Sequence, residues 1–526
     1  MHDSALRGYY SADEVRAAEA ELFTRVPEGM PMRRAAFGLA EVVVRELRER
    51  TGGVAGRAVT LLVGSGDNGG DALWAGSLLR RRGVAVDAVL FSPDRAHPAG
   101  LAALRKTGGR VHTDASGAHA RRALTGAPVP GDTAGELVRA ETAGGPRRGG
   151  AAGARVRAGA GPDLVVDGIV GISGRGPLRP QAAKLVAEVR VPIIAVDLPS
   201  GVDPDTGAVT GPAVRAAVTV TFGAHKPVHA LAAPYCGRIE LVPIGLRLPE
   251  PNLAALEVES IGAGWPVPHA TDDKYTQGVT GVCAGSATYP GAAILCTGGA
   301  VAATSGMVRY TGTGAAQVLE HFPEIIASPT ISETGRVQSW VFGPGAGTDS
   351  GAHDRLAQIL ATDLPVVVDA DGLTLLAADP GLLTGRTAPT VLTPHAGEFA
   401  RLTGADPAPD RVAAVRKLAD SWQVTVLLKG RATLIATPGR PVLVNEAGGS
   451  WAATAGSGDV LSGILAALLA AGRDPAWSAA AAARVHALAA NLAAHASSAA
   501  GAPISATPLQ QHIRAAIGTL RELSTR

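Results

Sequence analysis

Short apolar runs that end in glycine-rich loops recur along the chain, and this pattern restricts the fold more than any other feature of the sequence. Residues 58–63, 164–167, 193–197 and 218–222 are runs of this kind, rich in β-branched side chains. Continuous apolar runs of this length are typical of parallel strands that are buried on both faces. Parallel strands need long crossover connections, which are usually helices. The sequence therefore predicts an α/β fold in which helices cover a mostly parallel sheet.

The same alternation begins again in the second half of the chain. Strand-like runs at 279–284, 366–369 and 424–428 are separated by helix-like segments. At roughly 100–200 residues per domain, a chain of 526 residues is expected to form two or three domains. The halves share no clear repeat of motifs, so we predict two different α/β domains.

Two segments interrupt the α/β pattern. Residues 248–269 are rich in Pro and Gly (LPEPNL, GAGWPVPH) and are predicted to be a linker between domains 1–247 and 270–526. Residues 115–162 consist largely of Gly, Ala and Arg without periodicity. This composition predicts a low-complexity surface loop, with a partner-binding or RNA-binding arm as the alternative.

Charge and cysteine content exclude several classes of protein. The 48 Lys and Arg against 46 Asp and Glu give a formal net charge of +2, which argues against nucleic-acid or anionic-membrane partners. Cys236, Cys283 and Cys296 form no C-x-x-C pair, which disfavours a disulfide framework and a cysteine zinc site. The first residues lack the apolar core of a signal peptide, and no apolar stretch is long enough to span a bilayer. We therefore expect a cytoplasmic protein.

The loop at residues 64–71 (GSGDNGGD) lies between a predicted strand and a predicted helix. Its glycines match the G-x-G-x-x-G fingerprint of dinucleotide-binding loops. However, Asp67 and Asp71 place carboxylates where a pyrophosphate would lie in an ordinary site of this kind. A bound cation would offset the repulsion, and Asn68 offers a hard oxygen ligand for it. A tight turn without a ligand is the alternative.

Three motifs together make a family resemblance specific. The segments are residues 64–71, residues 167–176 (DGIVGISGRG) and residues 197–201 (DLPSG). In these motifs the first half resembles the NAD(P)HX epimerases, the YjeF amino-terminal family. Asp67 stands where that family more usually has asparagine, and Ile172-Ser173 stands where it more usually has Thr-Gly.

The epimerase resemblance implies a set of functional residues. Asn68, Asp167 and Ser200 would hold a potassium ion, and Asp197 is the candidate acid/base residue, with a turn-capping role as the alternative. Lys226 follows another strand and is interpreted as a solvated surface charge outside the site. The residues implied to line the hydrated dinucleotide are Asp67, Asn68, Gly69, Gly70, Asp71, Gly171, Ile172, Ser173, Gly174, Arg175, Gly176, Pro177 and Asp197.

In the second half, residues 454–459 (TAGSGD) form a glycine-rich turn that leads into an apolar helical pattern. A helix N-terminus presents free backbone amides to an anion. In ribokinase-like enzymes a G-x-G-D turn stabilises the transferring phosphate, and its aspartate takes a proton from the accepting hydroxyl. Asp459 is therefore the second candidate catalytic residue. The alternative is an aspartate that only caps the helix.

Further motifs extend this resemblance across nearly the whole domain. They are DDKYTQG (272–278), PGAA (290–293), GPGAG (343–347), VDADGL (368–373), LTPHAGE (392–398) and LKG (428–430). In this order they resemble the ADP-dependent NAD(P)HX dehydratase family. The resemblance implies that the hydrated nucleotide is contacted by Ala292, Gly347, His395 and Asp459. It implies that the adenine nucleotide is held by Lys429, Gly430, Arg431, Ala432, Thr433 and Gly458.

Together the two resemblances imply a Rossmann-like α/β/α epimerase domain followed by a ribokinase-like α/β/α dehydratase domain. The implied activity is nicotinamide nucleotide repair: epimerisation of (R)-NAD(P)HX, the hydrate of NAD(P)H, to the S form, and dehydration of the S form at the expense of ADP. Implied cofactors are K⁺ in the first domain and Mg²⁺ with ADP in the second. Expected partners are these small molecules, with no nucleic acid, no membrane and a homo-oligomeric state. The alternative is a ribokinase-superfamily small-molecule kinase fused to a non-catalytic nucleotide-binding module.

Overall fold

The computed structural model describes residues 6–126 and 161–525. They belong to two compact units, an amino-terminal unit of Tyr9–Glu250 and a carboxy-terminal unit that comprises Pro251–Arg526 and the first eight residues. The strands are β1 (Leu6–Tyr9), β2 (Ala58–Val63), β3 (Ala85–Leu90), β4 (Arg110–His112), β5 (Leu164–Gly168), β6 (Ile193–Val196), β7 (Val218–Phe222), β8 (Arg238–Val242), β9 (Leu253–Leu256), β10 (Val279–Cys283), β11 (Met307–Thr311), β12 (Ile326–Ser328), β13 (Ser339–Phe342), β14 (Val366–Val368), β15 (Thr390–Leu392), β16 (Thr425–Leu428), β17 (Ala432–Ala436) and β18 (Val442–Glu446).

The helices alternate with these strands, as the sequence pattern predicts. They are α1 (Ala12–Phe23), α2 (Met30–Thr51), α3 (Asp67–Arg81), α4 (Pro98–Lys106), α5 (Ala118–Thr125), α6 (Pro180–Glu188), α7 (Pro227–Leu231), α8 (Ala233–Cys236), α9 (Val258–Gly264), α10 (Pro290–Ala303), α11 (Ala315–His321), α12 (Ser350–Leu360), α13 (Asp371–Ala378), α14 (Ala396–Thr403), α15 (Arg411–Trp422), α16 (Ser457–Ala470), α17 (Pro475–His495), α18 (Ala506–Gln511) and α19 (Ile513–Leu523). Among the described residues, no helix is long and apolar enough to cross a membrane.

The amino-terminal unit has a seven-stranded sheet in the order β4-β3-β2-β5-β6-β7-β8, and every pairing in it is parallel. Successive side chains of a strand point to opposite faces. Leu61 accordingly packs into one apolar cluster with Leu39 of α2 and Leu73 of α3, whereas Leu62 packs into a second with Leu124 of α5 and Leu185 of α6. The predicted three-layer α/β/α arrangement is confirmed for this unit.

Asp87, about twenty residues beyond the glycine loop, makes structural contacts within the sheet. Asp87 is buried within β3 and accepts hydrogen bonds from Arg110, and it lies 2.7 Å from Nε2 of His112. These hydrogen bonds outweigh the effect of burial and lower the pKa of Asp87. The residue ties β3 to the edge strand β4.

The carboxy-terminal unit has an eleven-stranded sheet in the order β1-β9-β18-β17-β16-β15-β14-β13-β10-β11-β12. The strands from β16 to β12 in this order are parallel, whereas β17 runs antiparallel to both of its neighbours. Alanine-rich faces of α10, α16 and α17 pack on the central strands. Small side chains allow close approach here: a Cβ on Gly463 would lie 2.1 Å from the Cys296 carbonyl oxygen.

Two predicted interruptions contain regular secondary structure. The predicted linker at 248–269 contains β9, which pairs with β18, and α9, in which Ile261 is buried. From Pro251 onward this segment belongs to the carboxy-terminal unit. In the predicted loop at 115–162, residues 118–125 form α5, whose Ala120 and Leu124 are buried. Residues 127–160 of that prediction lie outside the described residues.

Candidate active sites

The loops of the amino-terminal motifs follow strands that are neighbours in the sheet. Strands β2, β5, β6 and β7 are adjacent in this order, and the carboxyl ends of parallel strands meet at one edge, where open α/β sheets bind ligands. Gly64 is required at this edge because a Cβ there would lie 1.8 Å from the Ile169 carbonyl oxygen. The structure thus brings the predicted motif loops together.

The three predicted potassium ligands are linked by hydrogen bonds. The Asn68 amide donates to the carbonyl oxygens of Val170 (3.1 Å) and Val196 (2.6 Å). Ser200 donates from its backbone N–H to Asp167 (2.9 Å) and from its hydroxyl to the same carboxylate (2.8 Å). The Val170 N–H in turn donates to Ser200 Oγ. Val170 therefore connects Asn68 with Ser200, which is in turn bonded to Asp167.

The Asp167 carboxylate is completely buried. Burial raises its pKa to about 6, against the lowering effect of hydrogen bonds from Ser200 and Ile169. These donors are neutral, so the buried negative charge is met only by dipoles of the surrounding groups. A cation at this position would reduce the cost of burying the charge.

Asp197 has the geometry of a constrained functional residue. Its φ of 67° lies in the left-handed region, which non-glycine residues rarely adopt and which is found disproportionately at active sites. The residue is 6% exposed. Its Oδ1 accepts hydrogen bonds from Thr221 Oγ1 (3.1 Å) and the Phe222 N–H (3.3 Å). The interpretation as a simple turn cap does not account for these buried contacts.

Lys226 lies against Asp197, and its interpretation as a surface charge is wrong. The side chain is 1% exposed. Its Nζ donates to Asp197 Oδ1 (2.5 Å), Thr221 Oγ1 (2.9 Å) and the Phe222 carbonyl oxygen (3.0 Å), so all three ammonium protons are used. The only signal in the sequence is that Lys226 follows a buried strand, which places it at the same sheet edge as the other motifs.

His229 completes this arrangement from the first turn of α7. Its Nδ1 accepts from the Lys226 backbone N–H (2.9 Å), and its Nε2 lies 2.9 Å from the Asp197 carbonyl oxygen. Burial and the Lys226 charge lower the pKa of His229 to about 3. The neutral ring therefore carries its proton on Nε2 and donates it to Asp197, which holds the strained backbone in place.

The predicted dinucleotide loop at 171–177 lies at the same edge and is held by arginines. Arg175 forms ion pairs with Asp203 and Asp205, and Arg16 of α1 donates to the Ile172 carbonyl oxygen. Ser173, Arg175, Gly176 and Pro177 are exposed. The loop can therefore contact a ligand while its backbone is restrained. By contrast, Asp71, one turn into α3, is buried.

In the carboxy-terminal unit, the motif loops follow β13, β14, β15 and β16, which are neighbours in the sheet. Gly343 is required at this edge because its φ is 124° and a Cβ there would lie 1.9 Å from the Asp369 carbonyl oxygen. The N-terminus of α16 carries Asp459 in its first turn. The structure therefore places the predicted anion-binding turn beside the predicted motif loops.

Lys429 lies at the centre of this site with two carboxylates that the sequence analysis did not assign. Its Nζ lies 2.8 Å from Asp369 Oδ1 and 3.4 Å from Glu398 Oε2. Ser462 of α16 donates to the other Asp369 oxygen. A Cβ on Gly458 would lie 3.5 Å from Lys429 Nζ, so this ammonium group lies beside the free amides of the helix. Asp369 and Glu398 lie in the motifs VDAD and HAGE. The position of these motifs at strand ends is the feature of the sequence that could have identified the two residues.

Asp459 is poised for proton transfer. Burial and the nearby charge of Asp369 raise its pKa to about 7, while the Lys429 charge lowers it. A general base works best when its pKa is close to the operating pH. Asp371 adds to the raised pKa of Asp459 and accepts a hydrogen bond from the Gly347 N–H. Asp371 therefore connects Asp459 with the predicted nucleotide-contacting loop at 343–347, against which Ala292 also lies.

His395 begins α14 and is well exposed, with a side-chain exposure of 59%. Its Nδ1 accepts from the backbone N–H groups of Gly397 and Glu398. Glu398 Oε2 accepts from the His395 N–H in return. This capping box fixes Glu398 beside Lys429 and leaves Nε2 as the atom of His395 that can face a ligand.

A cavity of about 540 Å³ opens beside Lys429 and Gly458. Among the predicted adenine-nucleotide residues, Lys429, Gly430, Arg431, Thr433 and Gly458 line it. Ala432 is not among the lining residues; its carbonyl oxygen accepts from Arg411 instead. The wall also includes residues outside the predicted motifs, among them Asn445 on β18, Ala452, Ala453, and His486 on α17. Small side chains and one buried histidine carry no recognisable motif, so only the fold reveals them.

Two parallel-sheet units, each with charged side chains and glycine turns at the carboxyl edge, define an α/β enzyme with two separate nucleotide-type sites. The YjeF-related protein N-terminus family model matches residues 29–228, and the NAD(P)H-hydrate dehydratase family model matches residues 280–513. The chain is 56% identical over 518 residues to the bifunctional NAD(P)H-hydrate repair enzyme Nnr of Mycobacterium leprae (strain TN), covering 98% of this chain and 100% of that relative. It is 58% identical over 470 residues to the enzyme of the same name from Mycobacterium tuberculosis (strain CDC 1551 / Oshkosh), covering 89% of this chain and 90% of the relative.

A solved structure of the ADP/ATP-dependent NAD(P)H-hydrate dehydratase from Bacillus subtilis, co-crystallised with ATP/Mg²⁺, is 25% identical; it covers 51% of this chain and 98% of its own, with a TM-score of 0.45. The chain belongs to the family of bifunctional NAD(P)H-hydrate repair enzymes, as the full-length similarity to the mycobacterial relatives shows. This membership confirms the family resemblance and favours a repair enzyme over the kinase alternative.

Proposed function

We propose that the amino-terminal unit interconverts the R and S hydrates of NADH and NADPH, and that the carboxy-terminal unit dehydrates the S hydrate at the expense of ADP. One observation carries this proposal: each unit holds an aspartate at the edge of its sheet within the influence of a lysine charge, Asp197 in an ion pair with Lys226 and the half-buried Asp459 near Lys429. Each aspartate provides a proton-accepting group among the motif loops of its unit.

In the carboxy-terminal unit, Asp459 removes the proton of the substrate hydroxyl while that oxygen attacks the β-phosphorus of ADP and AMP leaves. The backbone amides of Gly456 and Gly458 and the Lys429 ammonium stabilise the charge of the transferring phosphoryl group. The phosphate then leaves from C6 as C5 loses a proton, which restores the C5–C6 double bond. The cavity beside Lys429 would hold the adenine nucleotide.

Magnesium would enter this site with the nucleotide. In the described ranges, no group of three or more His, Cys, Asp or Glu side chains is arranged to hold a metal ion, so phosphate oxygens and water would supply much of its coordination, as Mg²⁺ prefers. Asp369 and Asp371 offer carboxylate oxygens beside Asp459. The bound ion would neutralise phosphate charge.

In the amino-terminal unit, the oxygen-rich group of Asn68, Asp167 and Ser200 fits a potassium ion. Amide, hydroxyl and carboxylate oxygens are hard ligands suited to such cations, and the buried Asp167 charge is met by neutral donors only. The ion would supply a fixed positive charge for the substrate phosphates. Asp197, held by Lys226, would act on the hydrated nicotinamide ring.

Incubation of the purified chain with mixed R and S NADHX tests both activities. We expect full recovery of NADH absorbance when ADP is present, because the S form is consumed and the R form is converted to it. Recovery of the S portion alone, with R turning over only at its spontaneous rate, would contradict the epimerase assignment. No ADP-dependent recovery would contradict the dehydratase assignment.

The pH dependence of dehydration should follow Asp459. A general base must be ionised, and the Asp459 pKa of about 7 lies within the working range. We expect kcat to fall about tenfold per pH unit well below pH 7 and to level off above it. Measurements on (S)-NADHX at saturating ADP check this. A flat profile between about pH 6 and 8, a range that brackets the pKa by about one unit, would contradict the assignment.

Potassium should stabilise the amino-terminal unit. A ligand that binds only the folded state at about 100 times its Kd adds about 2.7 kcal/mol. We therefore expect KCl to raise the unfolding midpoint of this unit relative to choline chloride at equal ionic strength. The matched variant Asp167→Asn, which removes the carboxylate, should lose the difference. An equal effect of KCl on the parent and on this variant would contradict the proposed ligand set.

The domain boundaries assigned from the sequence, the homo-oligomeric state and the cytoplasmic location stay predictions. Light scattering of the purified chain would establish its oligomeric state directly.

A further inference from the structure

Asp71 is a buried acid that the proposed chemistry does not yet use. It lies in the first turns of α3 and is 6% exposed. Its Oδ1 is shielded from solvent and has no hydrogen-bond partner in the described structure. An unpartnered buried polar atom is costly, and such groups in native structures often have a catalytic or ligand-binding role. Asp71 therefore calls for a functional explanation.

The charged groups that face Asp71 come from its own helix and from three other segments of the unit. Asp197 follows β6, Glu19 lies on α1, and Asp67 lies one helical turn earlier on α3; all three raise the pKa of Asp71. Lys226, in contrast, lowers it but is committed to Asp197 through a 2.5 Å contact. Burial adds to the three negative charges and raises the pKa of Asp71 well above its usual range.

Asp71 and Asp197 thus have different charged neighbours. Asp197 has the buried Lys226 ammonium group 2.5 Å from its Oδ1. Asp71 has no such cation and sits among carboxylates, which favours its protonated form. Two carboxyl groups whose environments separate them in this way are the usual basis for dividing general-acid and general-base roles.

We propose that Asp71 is the general acid of the epimerase site and that Asp197, positioned by Lys226, is the general base. This inference rests on the proposed epimerase function and assigns a catalytic role that the family resemblance gave only as substrate contact. The substrate is a carbinolamine, because its hydroxyl is on C6, next to the ring nitrogen N1. The C–O bond of such a group breaks readily when the oxygen is protonated and the nitrogen lone pair can form a double bond.

Asp71 gives its proton to the C6 hydroxyl; the C6–O bond breaks, water leaves, and the N1 lone pair forms an N1=C6 iminium ion. A water molecule then forms a bond to C6 from the opposite face, and its proton goes to the Asp197 carboxylate as the electron pair returns to N1. Return of a proton from Asp197 to Asp71, directly or through water, resets the enzyme.

Two isotope measurements test the bond that breaks. With (R)-NADHX, the full chain and no ADP, we expect each enzymatic conversion in H₂¹⁸O to place one ¹⁸O atom in the S product. In D₂O we expect no deuterium at C6. Deuterium at C6 without ¹⁸O incorporation would show abstraction of the C6 proton and would overturn the proposal.

The Asp71→Asn variant tests the acid. An amide resembles a protonated carboxyl group in shape and charge, so thermal stability of the amino-terminal unit should be unchanged or raised. Epimerisation should fall by about 100-fold or more, whereas Asp71→Glu should retain part of it and Asp94→Asn, an exposed control, all of it. Epimerisation by Asp71→Asn within about threefold of the parent, a change too small for loss of a general acid, would overturn the assignment.

The remaining outcomes are equally decisive. Loss of activity in Glu19→Gln but not in Asp71→Asn would assign the proton to α1 and overturn the proposal. If Asp71→Asn fails to fold, its loss of activity carries no weight, and the Asp71→Ser variant replaces it. A folded and fully active Asp71→Ser variant would overturn the assignment. A folded and inactive one would support it. A parent chain that leaves (R)-NADHX at its spontaneous rate would instead show that the proposed epimerase function is wrong.

Discussion

The Asp459→Asn variant is expected to lose ADP-dependent dehydration by about 10²–10⁴-fold in kcat, the usual contribution of a general base. Asparagine keeps the size of the side chain and its place in the first turn of α16, but it cannot accept the hydroxyl proton. Asp369 and Asp371, which raise the pKa of Asp459, would then face one negative charge fewer, so the free energy of unfolding should not decrease. Absorbance of NADH formed from (S)-NADHX and ADP measures the loss.

Epimerisation in the Asp459→Asn variant should continue at the parent rate, because that site lies in the other unit. The exposed Asp420→Asn variant is the matched control and should keep both activities. If Asp459→Asn abolished epimerisation as well, the assignment of the two reactions to separate units would be wrong. Dehydration within a factor of three of the parent, far less than a general base contributes, would remove Asp459 from the mechanism.

The Lys226→Met variant is expected to have the largest effect on stability. Removing one partner of a buried ion pair typically costs about 3–5 kcal/mol, since the remaining charge stays buried without compensation. Here the remaining charge is Asp197, and Thr221 and the Phe222 carbonyl oxygen also lose a donor. Urea unfolding, followed through the transition of the amino-terminal unit, measures the change.

The double variant Lys226→Met/Asp197→Asn separates stability from function. It removes both charges, so it should recover most of the lost free energy of unfolding. Epimerisation should stay absent in it, because the base is gone. A double variant whose free-energy loss equals the sum of the two single losses would show that Lys226 and Asp197 do not interact energetically.

Local features of the sequence were sufficient for much of the fold. The runs at 58–63 and 218–222 correspond to β2 and β7 residue for residue, because burial on both faces favours an uninterrupted run of apolar side chains and threonines. The charged or mixed strands β4 and β8 lie at the two edges of the same sheet. A strand at an edge has a neighbouring strand on one side only, so it needs fewer apolar side chains. Their sequences therefore lack the signal, and they were missed.

The site residues also fall into those that the sequence indicated and those that only the structure revealed. Asn68, Asp167, Asp197 and Asp459 belong to glycine-containing motifs in which the backbone conformation itself restricts the residue type, so they could be predicted. Asp369 and Glu398 stand within recognised motifs but acquire a role only through contact with Lys429. The cavity wall at Asn445 and His486 comes from segments with no such restriction.

By itself, the sequence determined two α/β units, the loops that carry the chemistry and the family to which the chain belongs. These features depend on local backbone geometry, namely tight turns after buried strands, and local geometry leaves a readable pattern of glycine and polar residues. Only the tertiary structure decided that Lys226 neutralises Asp197, that Asp71 is buried without a cation, and that β9 and α9 are part of the second unit. Burial and charge pairing depend on which distant segments meet, and that information lies in the packing rather than in any short stretch of residues.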